Sequence, residues 1–316
     1  MTGPQKPDRG VSTPGSIVLA MPGNEALARQ ISERTGMSLG SLETRRFPDG
    51  ESYVRLLTEV SGGTVHIVST LADPDPGFLA LVFAADAARA QGAGRVNLIA
   101  PYLAYMRQDK AFHTGEAVSS RSFARLVSST FDGLVTVDPH LHRYLSLSDL
   151  YGIPGATLHA GAVLADWIAD NVDKPVLIGP DEESKQWVAE IADRLKAPFT
   201  VLTKTRAGDR NVKIDVPDLS SWGDRQPVLI DDIVSSGRTM IEAARQLPQK
   251  GSRKPVCVAV HALFAEDAYD RLAAVASMIV STDCVAHRSN AIQIAPVIVE
   301  GLRLLGQTSR RTEAAS

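Results

Sequence analysis

The chain of 316 residues has few features that would staple it, insert it in a membrane or attach it to nucleic acid. It has two cysteines, Cys257 and Cys284, both inside apolar, strand-like runs. Two such residues make no disulfide framework and no thiolate metal site, so they read as core thiols in a reducing compartment. No apolar run approaches the ~18 residues needed to cross a bilayer. Positive charge is not in excess: the net charge is −3, which argues against a general nucleic-acid surface. Several nucleotide and hydrolase signatures are also missing. There is no GxxxxGK[ST] loop, no GxGxxG fingerprint, no zinc-spaced Cys/His set and no nucleophile elbow. A cytoplasmic protein with no membrane and no nucleic-acid partner is expected.

What is present is an ordinary globular composition, 44% hydrophobic and 22% charged, in a chain long enough for two domains. Short β-branched runs alternate with longer helical patterns, the mark of βαβ units on parallel sheets. In the first half, strands are expected near 17–20, 65–69, 96–100 and 134–137, with helices near 25–35, 78–90 and 120–129. In the second, strands are expected at 175–179, 199–203, 228–231, 256–261 and 278–281. Its helices are expected at 158–169, 183–195, 239–247, 267–274 and 296–305. A cluster of Ser, Asp, Gly and Pro at 145–155 suggests the boundary. The expected division is a disordered lead-in at 1–15, domains at 16–150 and 151–305, and a flexible tail at 306–316. The similar element order of the two halves suggests a duplication.

Doubly wound sheets bind ligands at the carboxyl ends of their strands, and the polar motifs of this chain fall there. The most informative is VLIDDIVSSGRTM at 228–240. A buried strand ends in Asp231 and Asp232, a Ser235-Ser236-Gly237 turn follows, and a helical pattern opens at Thr239. A tight turn into a helix N-terminus offers free N–H groups and the positive end of the helix dipole to phosphate. Ser235, Ser236 and Thr239 add hydroxyls, and the paired acids suit ribose hydroxyls or a metal-bound sugar.

The remaining motifs are individually weaker. The run at 98–109 leads from a strand to Arg107, Gln108 and Asp109: a planar cation for phosphate oxygens and an amide able to read a purine edge. VTVDPHLH at 135–142 ends a strand with Asp138, His140 and His142. Asp181, in IGPDEE at 178–183, either caps a helix or joins His140 in holding a Mg²⁺ that bridges phosphates. Lys204, Arg206 and Arg210 occupy a Gly-containing segment at 202–211, either a solvated basic hairpin or a loop that closes over a reacting phosphate. RFPDGESYVR at 46–55 signals a hairpin turning at Pro-Asp-Gly. Phe47 there offers a base-stacking ring, with Asp49 and Glu51 as acceptors for an amine.

In order, FPDGE, RQD, VDPH, GPD, the Lys-x-Arg of Lys204 and Arg206, and DDIVSSGRT resemble the motifs of the ribose-phosphate diphosphokinases, or PRPP synthetases, over residues 17–305. The resemblance implies an α/β fold of two phosphoribosyltransferase-type domains, each a largely parallel sheet flanked by helices. It also implies a Mg²⁺-dependent enzyme that moves the diphosphoryl group of ATP onto the anomeric hydroxyl of ribose 5-phosphate, releasing AMP. By that resemblance Arg107 and Gln108 bind ATP, joined by Phe47, Asp49, Gly50 and Glu51 from a neighbouring subunit of a homo-oligomer. His140 and Asp181 position the metal, and Lys204 and Arg206 stabilise the transferring group. Arg206, Asp231, Asp232, Ser235, Ser236, Gly237, Arg238 and Thr239 hold ribose 5-phosphate.

Three segments depart from the family pattern. Glu182-Glu183-Ser184 replaces small residues after Asp181, Ser235 and Arg238 stand where an acid and Gly are common, and KAFHTGEAVS follows the RQD motif. The last lacks the basic run of phosphate-activated members. A non-catalytic regulatory subunit is the competing expectation from the two extra acids. A nucleobase phosphoribosyltransferase shares the sugar-phosphate loop but is single-domain and lacks FPDGE and RQD.

Overall fold

The computed structural model describes residues 15–141, 143–206, 212–216 and 222–315. The lead-in expected at 1–15 falls almost wholly outside them, as do His142 and Arg210. The chain forms two compact units, one running to Leu158 and including the segment from Ala295 onward, the other His159–Ile294. Both are α/β, as the alternating pattern predicts.

The first unit opens with β1 (Ser16–Ala20), α1 (Glu25–Thr35) and β2 (Ser38–Leu39). An antiparallel hairpin, β3 (Leu42–Arg46) and β4 (Ser52–Leu56), follows and turns at the Pro-Asp-Gly sequence. Then come β5 (Thr64–Val68), α2 (Pro74–Ala90), β6 (Arg95–Ala100), α3 (Ser119–Thr130), β7 (Gly133–Val137) and β8 (Gly155–Leu158). Its main sheet is parallel in the order β2-β1-β5-β6-β7-β8. Strands β1, β5, β6 and β7 are almost continuously buried, because helices cover a parallel sheet on both faces.

The second unit comprises α4 (Gly161–Asn171), β9 (Pro175–Gly179), α5 (Lys185–Leu195), β10 (Phe199–Val201), β11 (Thr203–Arg206) and β12 (Val212–Asp215). It continues with β13 (Gln226–Val234), α6 (Arg238–Gln249), β14 (Val256–Ala262), α7 (Ala268–Ala273), β15 (Met278–Thr282) and β16 (Asn290–Ile292). Its sheet, β10-β9-β13-β14-β15-β16, is again parallel. Strands β11 and β12 form a separate antiparallel pair. Cys257 and Cys284 are both buried thiols outside any disulfide, and burial pushes the Cys257 thiol's pKa up.

The boundaries differ from expectation in three places. The first unit ends at Leu158, not near 150, because β8 is the outer strand of the first sheet rather than the start of a helix. The last helix, α8 (Ala295–Ala315), packs on α1, β7 and β8 and so belongs to the first unit. Gly301 makes this possible: a Cβ there would lie 2.5 Å from Leu158 and 2.7 Å from Val135. The tail expected to be flexible at 306–316 continues this helix to Ala315. Arg, Glu and Ala favour helix there, and no Pro interrupts a helix already nucleated by packing.

One buried polar pair inside the first sheet sets an acid limit on stability. His66 on β5 lies opposite Asn97 on β6, 3.5 Å away, and is 6% exposed. Burial lowers its pKa from 6.5 to about 4. The folded chain therefore binds the proton less well than the unfolded chain, and stability is lost as pH falls from about 6.5 towards 4. The loss amounts to about 3 kcal/mol. Urea unfolding at pH 7 and pH 4.5 should show His66→Gln flattening this acid slope; an identical slope in the variant would reject the assignment.

Candidate functional site

The strand order fixes where a ligand crevice can open. In the second unit β9 is followed outward by β10 on one side and by β13 on the other, so the chain reverses direction between β9 and β13. The crevice beyond the carboxyl ends of two such strands is the usual ligand position. Asp181 follows β9, and Asp231, Asp232 and the turn 235–237 close β13.

Strand β13 runs three residues further than expected, carrying the acid pair within its paired part. Asp231 and Asp232 are both partly buried. The Asp231 carboxyl is raised well above the ordinary carboxylate range, first by burial, then by the charge and hydrogen bond of Asp232, then by the charge of Asp181. Asp232 turns its Oδ1 to the Ile233 N–H at 2.8 Å. Gly237 adopts φ +61°, a left-handed conformation that favours glycine, and from it α6 starts one residue earlier than expected, at Arg238. The first helical bond runs from the Ile241 N–H to the Gly237 carbonyl. Among the described residues no side chain caps this end, so the amides of Arg238, Thr239 and Met240 have no partner within the helix, beside Ser235, Ser236 and Thr239. An anion receiver thus sits next to a crowded carboxylate pair. That combination suits a phosphate and a sugar diol on one molecule.

Asp181 accepts the Ser184 N–H at 3.2 Å, and Ser184 Oγ donates to the Asp181 carbonyl at 2.7 Å. These bonds close a turn ahead of α5, which starts at Lys185 with Ser184 at its N-cap and no side-chain cap, so the capping role foreseen for Asp181 is not the one it plays. Glu182 is exposed and pairs with Lys185 at 3.1 Å. Lys204 and Arg206 stand on β11, in register with Ile214 and Val212.

In the first unit, β6 and β7 are neighbours, so Arg107–Asp109 and the residues after β7 leave the same sheet edge. Backbone strain marks both exits: Tyr105 has φ +61° and Asp138 φ +39°. Arg107 is exposed, and Asp109 pairs with Arg143 at 3.4 Å. Gln108 Oε1 accepts from Ser119 Oγ at 2.6 Å, which leaves its amide nitrogen as a donor. His140 is partly buried. On the hairpin, Phe47, Asp49, Gly50 and Glu51 are exposed at the turn. Phe47 is not a bare ring: Arg45 lies 4.5 Å from its centroid and 4.2 Å from that of Tyr53. Asp49 accepts the Glu51 N–H at 3.2 Å.

At the corresponding switch point of the first unit, between β1 and β5, one amide side chain bonds the two strand exits together. Asn24 accepts the Thr70 N–H at 2.8 Å and donates to the Met21 and Pro22 carbonyls. Sequence patterning does not single out Asn24; only the switch point of the sheet does. Among the described residues, no three His, Cys, Asp or Glu side chains converge as a metal cage.

Comparison with known proteins agrees with this arrangement. Residues 16–130 match the N-terminal domain of ribose phosphate pyrophosphokinase, and residues 147–296 match the phosphoribosyl transferase domain. A ribose-phosphate pyrophosphokinase of Methanopyrus kandleri is 36% identical over 293 residues, 92% of this chain and 99% of the relative. Those of Thermoplasma acidophilum and Methanobrevibacter smithii are 31% and 30% identical, over 90% and 91% of this chain and 97% and 100% of theirs. The crystal structure of phosphoribosylpyrophosphate synthetase from Mycobacterium smegmatis shares the fold, with a TM-score of 0.79 at 23% identity, covering 93% of this chain and 99% of that one. The chain belongs to the ribose-phosphate pyrophosphokinase family.

Proposed function

We propose that this chain is a ribose-phosphate diphosphokinase, converting ATP and ribose 5-phosphate to PRPP and AMP. The observation that carries the reading is the β13–α6 crevice: paired carboxylates beside an uncapped helix N-terminus, in a family member spanned nearly end to end by its relatives. Asp231 and Asp232 accept from the ribose hydroxyls. Ser235, Ser236, Gly237, Arg238 and Thr239 take the 5-phosphate. The anomeric oxygen attacks the β-phosphorus of ATP; the O–Pβ bond forms as the Pα–O–Pβ bridge breaks at Pβ. AMP keeps the bridging oxygen, and the proton of the anomeric hydroxyl passes to solvent. Such transfers need positioning and charge neutralisation more than a protein nucleophile.

Lys204 and Arg206 supply the positive charge for the transferring group. Arg107 and Gln108 bind ATP. Phe47, Asp49, Gly50 and Glu51 reach the ATP of a neighbouring copy in a homo-oligomer, as their place on an exposed hairpin turn permits. His140 and Asp181 are the residues proposed to position Mg²⁺. Asp181 offers the hard carboxylate oxygen that Mg²⁺ prefers, and its charge already acts on Asp231. When bound, Mg²⁺ supplies neutralising charge to the phosphates. Among the described residues no helix is long and apolar enough to cross a membrane; the cytoplasm is the proposed compartment.

Incubation with ATP, ribose 5-phosphate and Mg²⁺ should yield PRPP and AMP by mass spectrometry; no product across several divalent metals and phosphate levels rejects the enzyme in favour of a regulatory subunit. Lys204→Ala should lower kcat by about a hundredfold or more with the melting temperature unchanged, as for other lost charge-stabilising donors. Normal turnover would remove Lys204 from the mechanism.

Asp231 gives an opposed pair of effects. Its folded pKa is raised, so the stability it contributes at low pH is lost as pH rises through the ordinary carboxylate range towards that raised value. Asp231→Asn should therefore melt higher than the parent at neutral pH. It should also lose about a hundredfold in kcat/KM for ribose 5-phosphate, about 3 kcal/mol for two charged hydrogen bonds. A lower melting temperature, or unchanged kcat/KM, contradicts the placement.

A further inference from the structure

The turn 235–238 has no side-chain cap, yet it must present its amides in a fixed geometry. Its near end is held by backbone. The Val234 carbonyl accepts the Leu263 N–H at 3.0 Å, and the Ser235 carbonyl accepts the Ala265 N–H at 3.1 Å. These bonds continue the β13–β14 ladder past its last paired residues, Val234 and Ala262. Phe264, between the two donors, packs against the core cluster that holds Val234, Met240 and Ile241. Its ring lies 4.9 Å from the His287 ring and 5.2 Å from that of Tyr269, edge-on, and Tyr269 and His287 are 4.8 Å apart.

The other side of this stack is itself fixed. His287 Nδ1 accepts the Ser289 N–H at 3.2 Å and lies 2.7 Å from Ser289 Oγ. Ser289 is buried and meets Ser281 Oγ at 2.7 Å. The His287 N–H donates to Asn290 Oδ1, and the Asn290 amide nitrogen donates to Ser281 Oγ and to the Thr282 and Val285 carbonyls. Arg288 covers Tyr269 at 3.9 Å and pairs with Asp270. The loop after β15 is thus rigid where it presents the imidazole.

We propose that the Phe264–His287–Tyr269 stack positions the ribose-phosphate turn, with His287 as a positioning residue acting through Phe264 and the amides of Leu263 and Ala265. The kinetic part rests on the function proposed above; the structural part does not. Loss of the ring should loosen the turn and weaken the sugar-phosphate grip while leaving the ATP subsite in the other unit alone. A ring pair is worth about 1 kcal/mol, so His287→Ala should raise KM for ribose 5-phosphate about fivefold. KM for ATP should stay within about twofold, and His287→Phe, which keeps a ring, should restore the parent value.

Hydrogen exchange reads the same device without turnover. In the full-length protein, His287→Ala should speed exchange of peptides covering 234–240 and 263–265 about fivefold, by the same ring-pair estimate, and leave β5–β7 unchanged. His287→Phe should exchange as the parent does. Unchanged exchange at 234–240 in His287→Ala overturns the proposal, as does exchange accelerated everywhere, or a Phe variant that behaves like Ala. Altered local exchange with equal rises in both KM values overturns the sugar-phosphate assignment alone. A parent chain that makes no PRPP rejects the enzymatic reading, and the exchange comparison still decides the stack.

Discussion

Two adjacent carboxylates at the end of a buried strand repel one another and are poorly solvated, and the organisation of the second unit follows from that constraint. Asp231 and Asp232 are carried by β13, the strand next to β9, so the charge of Asp181 adds to theirs at the same sheet edge. The fold tolerates the crowding because the adjoining helix α6 turns its positive end towards this edge and has no side-chain cap of its own. Stability is lost in the free protein at the place where a polyol, a phosphate and a cation would each offset part of the cost. Active sites are where such unfavourable groupings persist.

The same topology occurs twice, with opposite outcomes. In the first unit the reversal of strand order falls between β1 and β5, and Asn24 there ties the loop after β1 to Thr70, after β5, with three hydrogen bonds to backbone. Its functional candidates moved to the next strands, β6 and β7, where positive φ at Tyr105 and Asp138 marks a backbone bent for display. One switch point therefore carries the acid pair and the uncapped helix, and the other carries an amide bonded to its own backbone. A maker of PRPP needs two substrate sites of different shape, and this division of labour suits it.

Much of this was legible in the residues. Continuous apolar runs such as 228–230 and 256–260 announced buried parallel strands, and FPDGE announced its hairpin through turn chemistry alone. The DDIVSSGRT string located the crevice because strand, turn and helix signals abut there. Long-range packing was not legible. Nothing local says that α8 returns to the first sheet, since Gly301 reads as a weak helical position until Leu158 and Val135 are seen beneath it. Phe264 and His287 are likewise 23 positions apart, and only β14 and β15 lying side by side brings them together. The roles proposed for Lys204 and Arg206 rest on the order of the motifs, because the local sequence fits a solvated basic hairpin and a closing loop equally well.

The central claim, that Asp231 is held in a like-charge cluster that substrate relieves, is tested most directly by titrating its carboxyl carbon by NMR. In the free protein the expected midpoint lies well above the ordinary carboxylate range, and it should fall when Mg²⁺ and ribose 5-phosphate are added together. An ordinary midpoint in the free protein, or one that substrate and metal leave in place, would contradict it.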